Sequence, residues 1–144
     1  MNKILVVESE TILLELLAEA LTYNGFCTIT TTSFEQGYGL TKQELPDLIL
    51  CGYSSKNINS YNSDETCWTF LQKIRQDLET VNIPLIMMTG DDLKLVPNWH
   101  NYLTDQDILL KPFNLKVLQE KIHTRLQPFR IQSKTEKKCV APHS

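Results

Sequence analysis

PDLILCG, residues 46–52, joins a Pro-Asp turn to a short apolar run and ends on a glycine. A continuous apolar run bounded by turn residues is typical of a strand covered on both faces, as in a parallel sheet. We therefore predict a buried strand over residues 48–51, with Gly52 at its carboxyl end. Open parallel sheets bind their ligands at that end of the strands. The position where chemistry is expected is thus held by a residue without a side chain.

Similar strand patterns lie on both sides of this segment. ILVV at 4–7 is another continuous apolar run, FCTITT at 26–31 is rich in β-branched residues, and PLIMMT at 84–89 and ILL at 108–110 complete the set. The intervening segments carry apolar residues at helical spacing. Helices are predicted over about residues 12–23, 34–43, 65–79, 91–101 and 115–126.

Five strands that alternate with five helices predict a parallel sheet with helices on both faces. Right-handed crossovers then favour the strand order 2-1-3-4-5. The predicted fold class is therefore α/β, a flavodoxin-like (βα)5 three-layer sandwich.

Short polar side chains mark the predicted helix ends, because they can accept hydrogen bonds from the free backbone N–H groups of a first turn. An Asn-Gly pair ends the first helix, since glycine is the preferred residue just after a helix. The predicted N-terminal caps are Thr11, Ser33, Ser63 or Asp64, and Asn114, and the predicted stop is Asn24-Gly25.

Four segments in this order carry a family resemblance: KILVVESE at 3–10, PDLILCG at 46–52, PLIMMTG at 84–90 and LLKPF at 109–113. Together they resemble the receiver domain of bacterial two-component response regulators, and the likeness covers about residues 3–126. The resemblance implies that the strand ending at Gly52 delivers the aspartate that accepts a phosphoryl group. It also implies that this aspartate and two acids after the first strand bind Mg²⁺.

The chain departs from that pattern in its acidic residues. The acid pair is Glu8-Ser9 and the acceptor position is Gly52, so two of the three expected carboxylates are missing. Mg²⁺ dehydrates reluctantly and is usually held by carboxylates and phosphates. We therefore expect no Mg²⁺, no other metal, no cofactor and no catalytic residue at this pocket.

Other receiver positions are kept. Thr89 matches the hydroxyl residue that contacts the phosphoryl group in the family, Lys111 matches the lysine that pairs with it, and the family's cis bond is expected at Lys111-Pro112. The family's aromatic switch residue lies three positions before the lysine, where this chain has Ile108. The alternative is structural: Thr89 would bond locally and Lys111 would pair with Glu8.

Composition limits the remaining possibilities. The chain has 144 residues with a net charge of −3, which argues against a general nucleic-acid binder. No apolar run reaches the ~18 residues that span a bilayer, and no signal-peptide pattern precedes residue 10. We predict one receiver-like domain over 1–127, a short basic tail over 128–144 and a cytoplasmic location.

The polar stretch 53–63 predicts a solvated insert, with its Ser and Tyr hydroxyls as alternative phosphorylation sites.

The function predicted from these residues is that of a stand-alone atypical receiver, a non-enzymatic protein–protein interaction module in two-component-type signalling that works without aspartyl phosphorylation. Its partner would be a sensor kinase or a downstream effector, with no DNA or membrane binding. The face of the fourth helix, fifth strand and fifth helix is a candidate homodimer surface, with Trp99, His100 and Tyr102 as contacts.

Two other functions stay open at this point. One is a phosphorelay regulator with a displaced acceptor, Asp64 or Glu65. The other is a flavodoxin-like protein that binds a nucleotide or flavin, against which stands the lack of a glycine-rich loop after the first strand.

Overall fold

The computed structural model describes residues 2–53, 67–90 and 99–126. Five parallel strands form one sheet in the order β2-β1-β3-β4-β5, which confirms the predicted topology. The strands are β1 (Lys3–Val7), β2 (Cys27–Thr31), β3 (Leu48–Tyr53), β4 (Leu85–Thr89) and β5 (Ile108–Leu110). The predicted insert and the basic tail lie largely or wholly outside the described residues, at 54–66 and 127–144.

Four α-helices occur in the described part of the chain: α1 (Thr11–Tyr23), α2 (Phe34–Glu44), α3 (Cys67–Gln76) and α4 (Leu115–Leu126). The predicted fourth helix, over 91–101, falls mainly on residues 91–98, which are not described, and its end is a 3-10 turn at Trp99–Asn101. A second 3-10 turn, Asp105–Asp107, precedes β5. Helix α3 ends at Gln76, earlier than the predicted 79, because turns occupy the following residues.

Most of the predicted helix caps that can be assessed are present. The Ser33 hydroxyl accepts a hydrogen bond from the Gln36 N–H at 3.2 Å, and the Asn114 side chain accepts one from the Val117 N–H at 2.8 Å. Gly25 follows α1 with a φ of 92°, the left-handed conformation that favours glycine. The prediction for Thr11 is wrong: it is the first helical residue, and the preceding Glu10 makes no side-chain cap.

The three central strands, β1, β3 and β4, bury both of their faces, which explains their continuous apolar runs, whereas the edge strands β2 and β5 are only partly buried. Alternate residues of β1 and β3 enter two separate core layers, one under α2 and α3 and the other under α1 and α4. The first layer contains Leu5, Val7, Ile49, Cys51, Phe70 and Ile74, and the second contains Ile4, Val6, Leu48, Leu50, Leu17 and Ile122.

The strand register places the carboxyl ends of the central strands side by side. Val7 pairs with Cys51, Gly52 with Met88, and Thr89 with both Tyr53 and Leu110. Residues that directly follow these pairs therefore meet at one edge of the sheet.

Among the described helices, none is long and apolar enough to cross a membrane.

The two glycines of α2 lie in opposite environments. Gly37 is buried, and a Cβ there would lie 3.0 Å from Val7 Cγ2 and 3.3 Å from Phe70 Cε1. Gly39 is exposed, and a Cβ there would meet no atom within 4 Å. Close packing therefore explains the glycine at 37, whereas the glycine at 39 only weakens the helix.

We predict opposite effects of alanine at these two positions. Gly39→Ala should raise the free energy of unfolding by about 0.5–1 kcal/mol, because alanine is the better helix former. Gly37→Ala should lower it by about 1 kcal/mol, since overpacking against Val7 outweighs the same gain. Urea unfolding of both variants beside the parent protein measures the difference. Equal stabilisation by both alanines would contradict the packing at Gly37.

Candidate functional site

The carboxyl edge of the sheet brings together the residues predicted for the pocket. Glu8 directly follows β1, Gly52 lies near the end of β3, Thr89 ends β4 and Lys111 follows β5. Backbone bonds hold two of these positions: Glu8 N–H donates to Thr31 O at 3.1 Å, and Lys111 N–H donates to Thr89 O at 2.7 Å. The pocket is therefore fixed by the sheet itself.

An ion pair joins the two ends of this edge. The Nζ atom of Lys111 lies 3.1 Å from Oε1 of Glu8, whose side chain is 2% exposed, while that of Lys111 is 19% exposed. The second carboxylate oxygen, Oε2, accepts a hydrogen bond from the Glu10 N–H at 3.0 Å. A buried carboxylate needs such partners, because burying an unpaired charge is costly. This is the structural alternative that the sequence offers for Lys111.

The Glu8 carboxylate also occupies the space beside Gly52. A Cβ at position 52 would overlap Oε1 of Glu8, and it would lie 2.7 Å from Cδ and 3.2 Å from Oε2. A side chain at this position is therefore incompatible with the observed position of Glu8. The two departures from the receiver pattern are thus one arrangement, in which the longer acid fills the volume left by the missing side chain.

Sequence reasoning treated these two changes separately and missed their steric link. The signal was present in the sequence, because the glutamate is one methylene longer than an aspartate and a glycine stands at the position it reaches. Only the strand register shows that the two positions face each other across neighbouring strands.

The residues at this edge do not fit an Mg²⁺ ion. Glu8 is the acid nearest Gly52, and its two oxygens already accept from Lys111 and Glu10. Ser9 is exposed and offers a neutral hydroxyl. Across the described residues, no group of three or more His, Cys, Asp or Glu side chains is placed to hold a metal ion. An ammonium group 3.1 Å from Oε1 of Glu8 also repels a cation there.

The structure also places the other receiver positions predicted from the sequence. Thr89 is fully buried at the end of β4. The Lys111-Pro112 peptide bond is cis, as predicted. The switch position, Ile108, is the first residue of β5 and packs against the core layer under α2 and α3. Its side chain is an aliphatic group without a hydroxyl.

The three predicted interaction residues differ in exposure. Trp99 is 8% exposed and belongs to the core. Tyr102 is half-buried, and its hydroxyl accepts a hydrogen bond from the Gln72 side chain at 3.2 Å. His100 is exposed, with its ring centroid 3.8 Å from that of Trp99. Packing within the domain thus accounts for Trp99 and much of Tyr102, and a contact role for the three stays a prediction.

Comparison with curated proteins gives two relatives. The chain is 27% identical over 128 residues to the "Probable transcriptional regulator ycf27" of Guillardia theta. The matched region covers 88% of this chain but only 46% of that protein. It is 25% identical over 126 residues to the protein PilH of Pseudomonas aeruginosa, covering 88% of this chain and 98% of PilH. No protein-family model matches the chain.

Solved structures share the fold. A two-component response regulator from Clostridium difficile superposes with a TM-score of 0.74 at 25% identity, covering 90% of this chain and 99% of that one. The sequence relatives and the shared fold make the chain similar to response-regulator receiver domains over most of its length.

Proposed function

We propose that this receiver acts as a protein–protein interaction module in two-component-type signalling, without phosphorylation of an aspartate in its pocket. The observation that carries the proposal is the Glu8 carboxylate, which lies against Gly52 and pairs with Lys111. Position 52 has no nucleophile, and the space an acceptor would need is filled.

The chemistry of phosphoryl transfer supports this proposal. The reaction consists largely of positioning the attacking and leaving oxygens in line and of neutralising charge with metal ions and cations. Here the lysine at the receiver position, Lys111, already neutralises Glu8, and the side chains present do not fit Mg²⁺ as ligands. The pocket therefore keeps one charge state whatever phosphodonor is present.

A permanent anion beside Lys111 gives the receiver a fixed output surface. In a phosphorylated receiver the lysine pairs with the phosphoryl group, whereas here Glu8 supplies the negative charge as part of the chain. A partner such as a sensor kinase or an effector would then recognise a single state of the domain, and binding would be controlled by the amount of either protein.

The predicted face on β5 and α4 offers apolar surface for such a partner or for a second copy. Leu110, at the end of β5, is 63% exposed, and Val117, in the first turns of α4, is 45% exposed. A competing apolar stripe lies on α1, where Ile12 is 83% and Leu16 is 50% exposed. We propose the first face, which is the one predicted from the sequence.

We predict that a small phosphodonor with Mg²⁺ leaves the pocket unmodified, because Gly52 has no side chain to attack phosphorus. Intact mass measurement before and after hydroxylamine treatment tests this. A stoichiometric mass gain that hydroxylamine removes would overturn the proposal and support a displaced acceptor such as Asp64 or Glu65. A gain that survives hydroxylamine would place phosphate on Ser or Tyr hydroxyls instead.

The fit between Glu8 and Gly52 predicts a rescue experiment. Gly52→Ala should lower the free energy of unfolding by about 1–3 kcal/mol, because its Cβ overlaps the glutamate. Glu8→Asp in the same chain should recover part of that loss, since the shorter acid vacates the space. Urea unfolding of the two single variants and the double variant gives the coupling. Additive effects would show that Glu8 does not fill the space beside Gly52.

A restored metal site gives a second test of the same geometry. Glu8→Asp, Ser9→Asp and Gly52→Asp together return the three carboxylates and remove the overlap, so Mg²⁺ should raise the melting temperature of this triple variant. The matched control is Gly52→Asp alone, which lacks the second carboxylate and keeps the overlap. An equal Mg²⁺-dependent rise in the parent protein would contradict a pocket that does not fit the metal.

The ion pair itself is measured by a double-mutant cycle. Glu8→Gln and Lys111→Met each leave one charge without its partner, and together they remove both charges. We expect a coupling free energy of about 1–2 kcal/mol, below the range for fully buried pairs because Lys111 is partly exposed. A coupling close to zero would show that the pair does not hold the edge together.

A further inference from the structure

Two thiols meet in the core beside the candidate pocket. The Sγ atoms of Cys51 and Cys67 lie 3.1 Å apart, and both cysteines are free. Cys51 belongs to β3 and directly precedes Gly52, while Cys67 is the first residue of α3.

The surroundings hold this contact in place. Both cysteines belong to the core layer under α2 and α3. Next to them, the rings of Tyr53 and Trp68 pack edge to face with centroids 5.7 Å apart. Strand β3 and the start of α3 are therefore also packed together next to the sulfur atoms. A disulfide has an S–S length of about 2.05 Å, so bond formation needs an approach of about 1 Å.

We propose that Cys51 and Cys67 form an oxidation site, which a small hydroperoxide converts into an intramolecular disulfide between β3 and the start of α3. The proposal goes beyond the function of the pocket, because the reaction needs no acceptor at position 52. Its product ties the helix to the strand that carries Gly52.

Accessibility sets the order of the two chemical steps. Cys51 is fully buried and burial raises the pKa of its thiol, with a further rise from the hydrogen bond to Cys67. Cys67 is 4% exposed and is the more accessible of the two. The Cys67 sulfur therefore reacts first, since it meets the oxidant first and the raised pKa of Cys51 keeps that thiol protonated.

The reaction balances with the hydroperoxide as the oxidant. The Cys67 sulfur attacks one peroxide oxygen, the O–O bond breaks, and Cys67 sulfenic acid and water are formed from hydrogen peroxide. The Cys51 sulfur then attacks the Cys67 sulfur, the S–O bond breaks, and the hydroxyl leaves with the Cys51 proton as a second water. The two thiols lose two electrons and the peroxide gains them.

Burial also selects the oxidant. A pair that is 0% and 4% exposed excludes bulky reagents, whereas hydrogen peroxide is close to water in size. We expect slow but complete reaction with hydrogen peroxide and much slower reaction with oxidised glutathione.

The disulfide closes a loop through residues 52–66, and loop closure restricts the unfolded chain. The oxidised protein should therefore melt several degrees higher than the reduced protein.

The test uses the full chain with Cys27→Ala and Cys139→Ala, so that Cys51 and Cys67 are the only cysteines left. After hydrogen peroxide, remaining thiols are alkylated in denaturant, and intact mass and peptide mapping identify the products. We expect loss of two hydrogens, a peptide that joins Cys51 to Cys67, reversal by dithiothreitol and the rise in melting temperature. Adding Cys67→Ala should abolish all four.

Several results would overturn the proposal. One is full alkylation of both thiols after peroxide treatment, which would show that no disulfide had formed. Another is a disulfide that forms only when the protein is oxidised in denaturant. Peptide mapping of the unmodified sequence provides a control that does not depend on any variant: a bond from Cys51 to a cysteine other than Cys67 would also contradict it.

Discussion

The carboxylate of Glu8 governs the architecture of the candidate site. It is almost fully buried, and a buried negative charge is stable only with close positive or hydrogen-bonding partners. Lys111 and the Glu10 backbone supply those partners. The ion pair links the end of β1 to the residue after β5, so it spans the sheet edge above β3. Gly52 follows from this, because β3 passes beneath the carboxylate and no side chain fits there.

Much of this arrangement could be predicted from the sequence. Continuous apolar runs indicate the central strands, since both of their faces are buried, and the chirality of crossovers then limits the strand order. The pairing of Glu8 with Lys111 was one of two alternatives, because opposite charges at the same edge of a parallel sheet must lie close together. Local caps at Ser33 and Asn114 followed from their short side chains.

What the sequence could not provide depends on distances between segments. The overlap at Gly52 and the contact of Cys51 with Cys67 arise from the register of β3 against β1 and the docking of α3, neither of which has a local signal. Trp99 was predicted as a possible contact because aromatics are common in interfaces, and its packing into the core has no local signal either. Thr11 shows the limit of local patterns, since the helix begins one residue earlier than a cap at this position would require.

The Glu8 carboxylate also restricts how this receiver-like domain can respond to a signal. Two like charges 4 Å apart repel by about 4 kcal/mol at an effective dielectric constant of 20, so a second anion beside Glu8 would be repelled and would compete with Glu8 for Lys111. Added charge is therefore a poor input for this pocket. Oxidation of Cys51 and Cys67 differs physically, because disulfide formation adds no charge and acts through the packing of α3 on β3. Since Cys51 adjoins Gly52 on the same strand, such a change reaches the backbone beneath Glu8 directly, and the two halves of the site would then be coupled through β3.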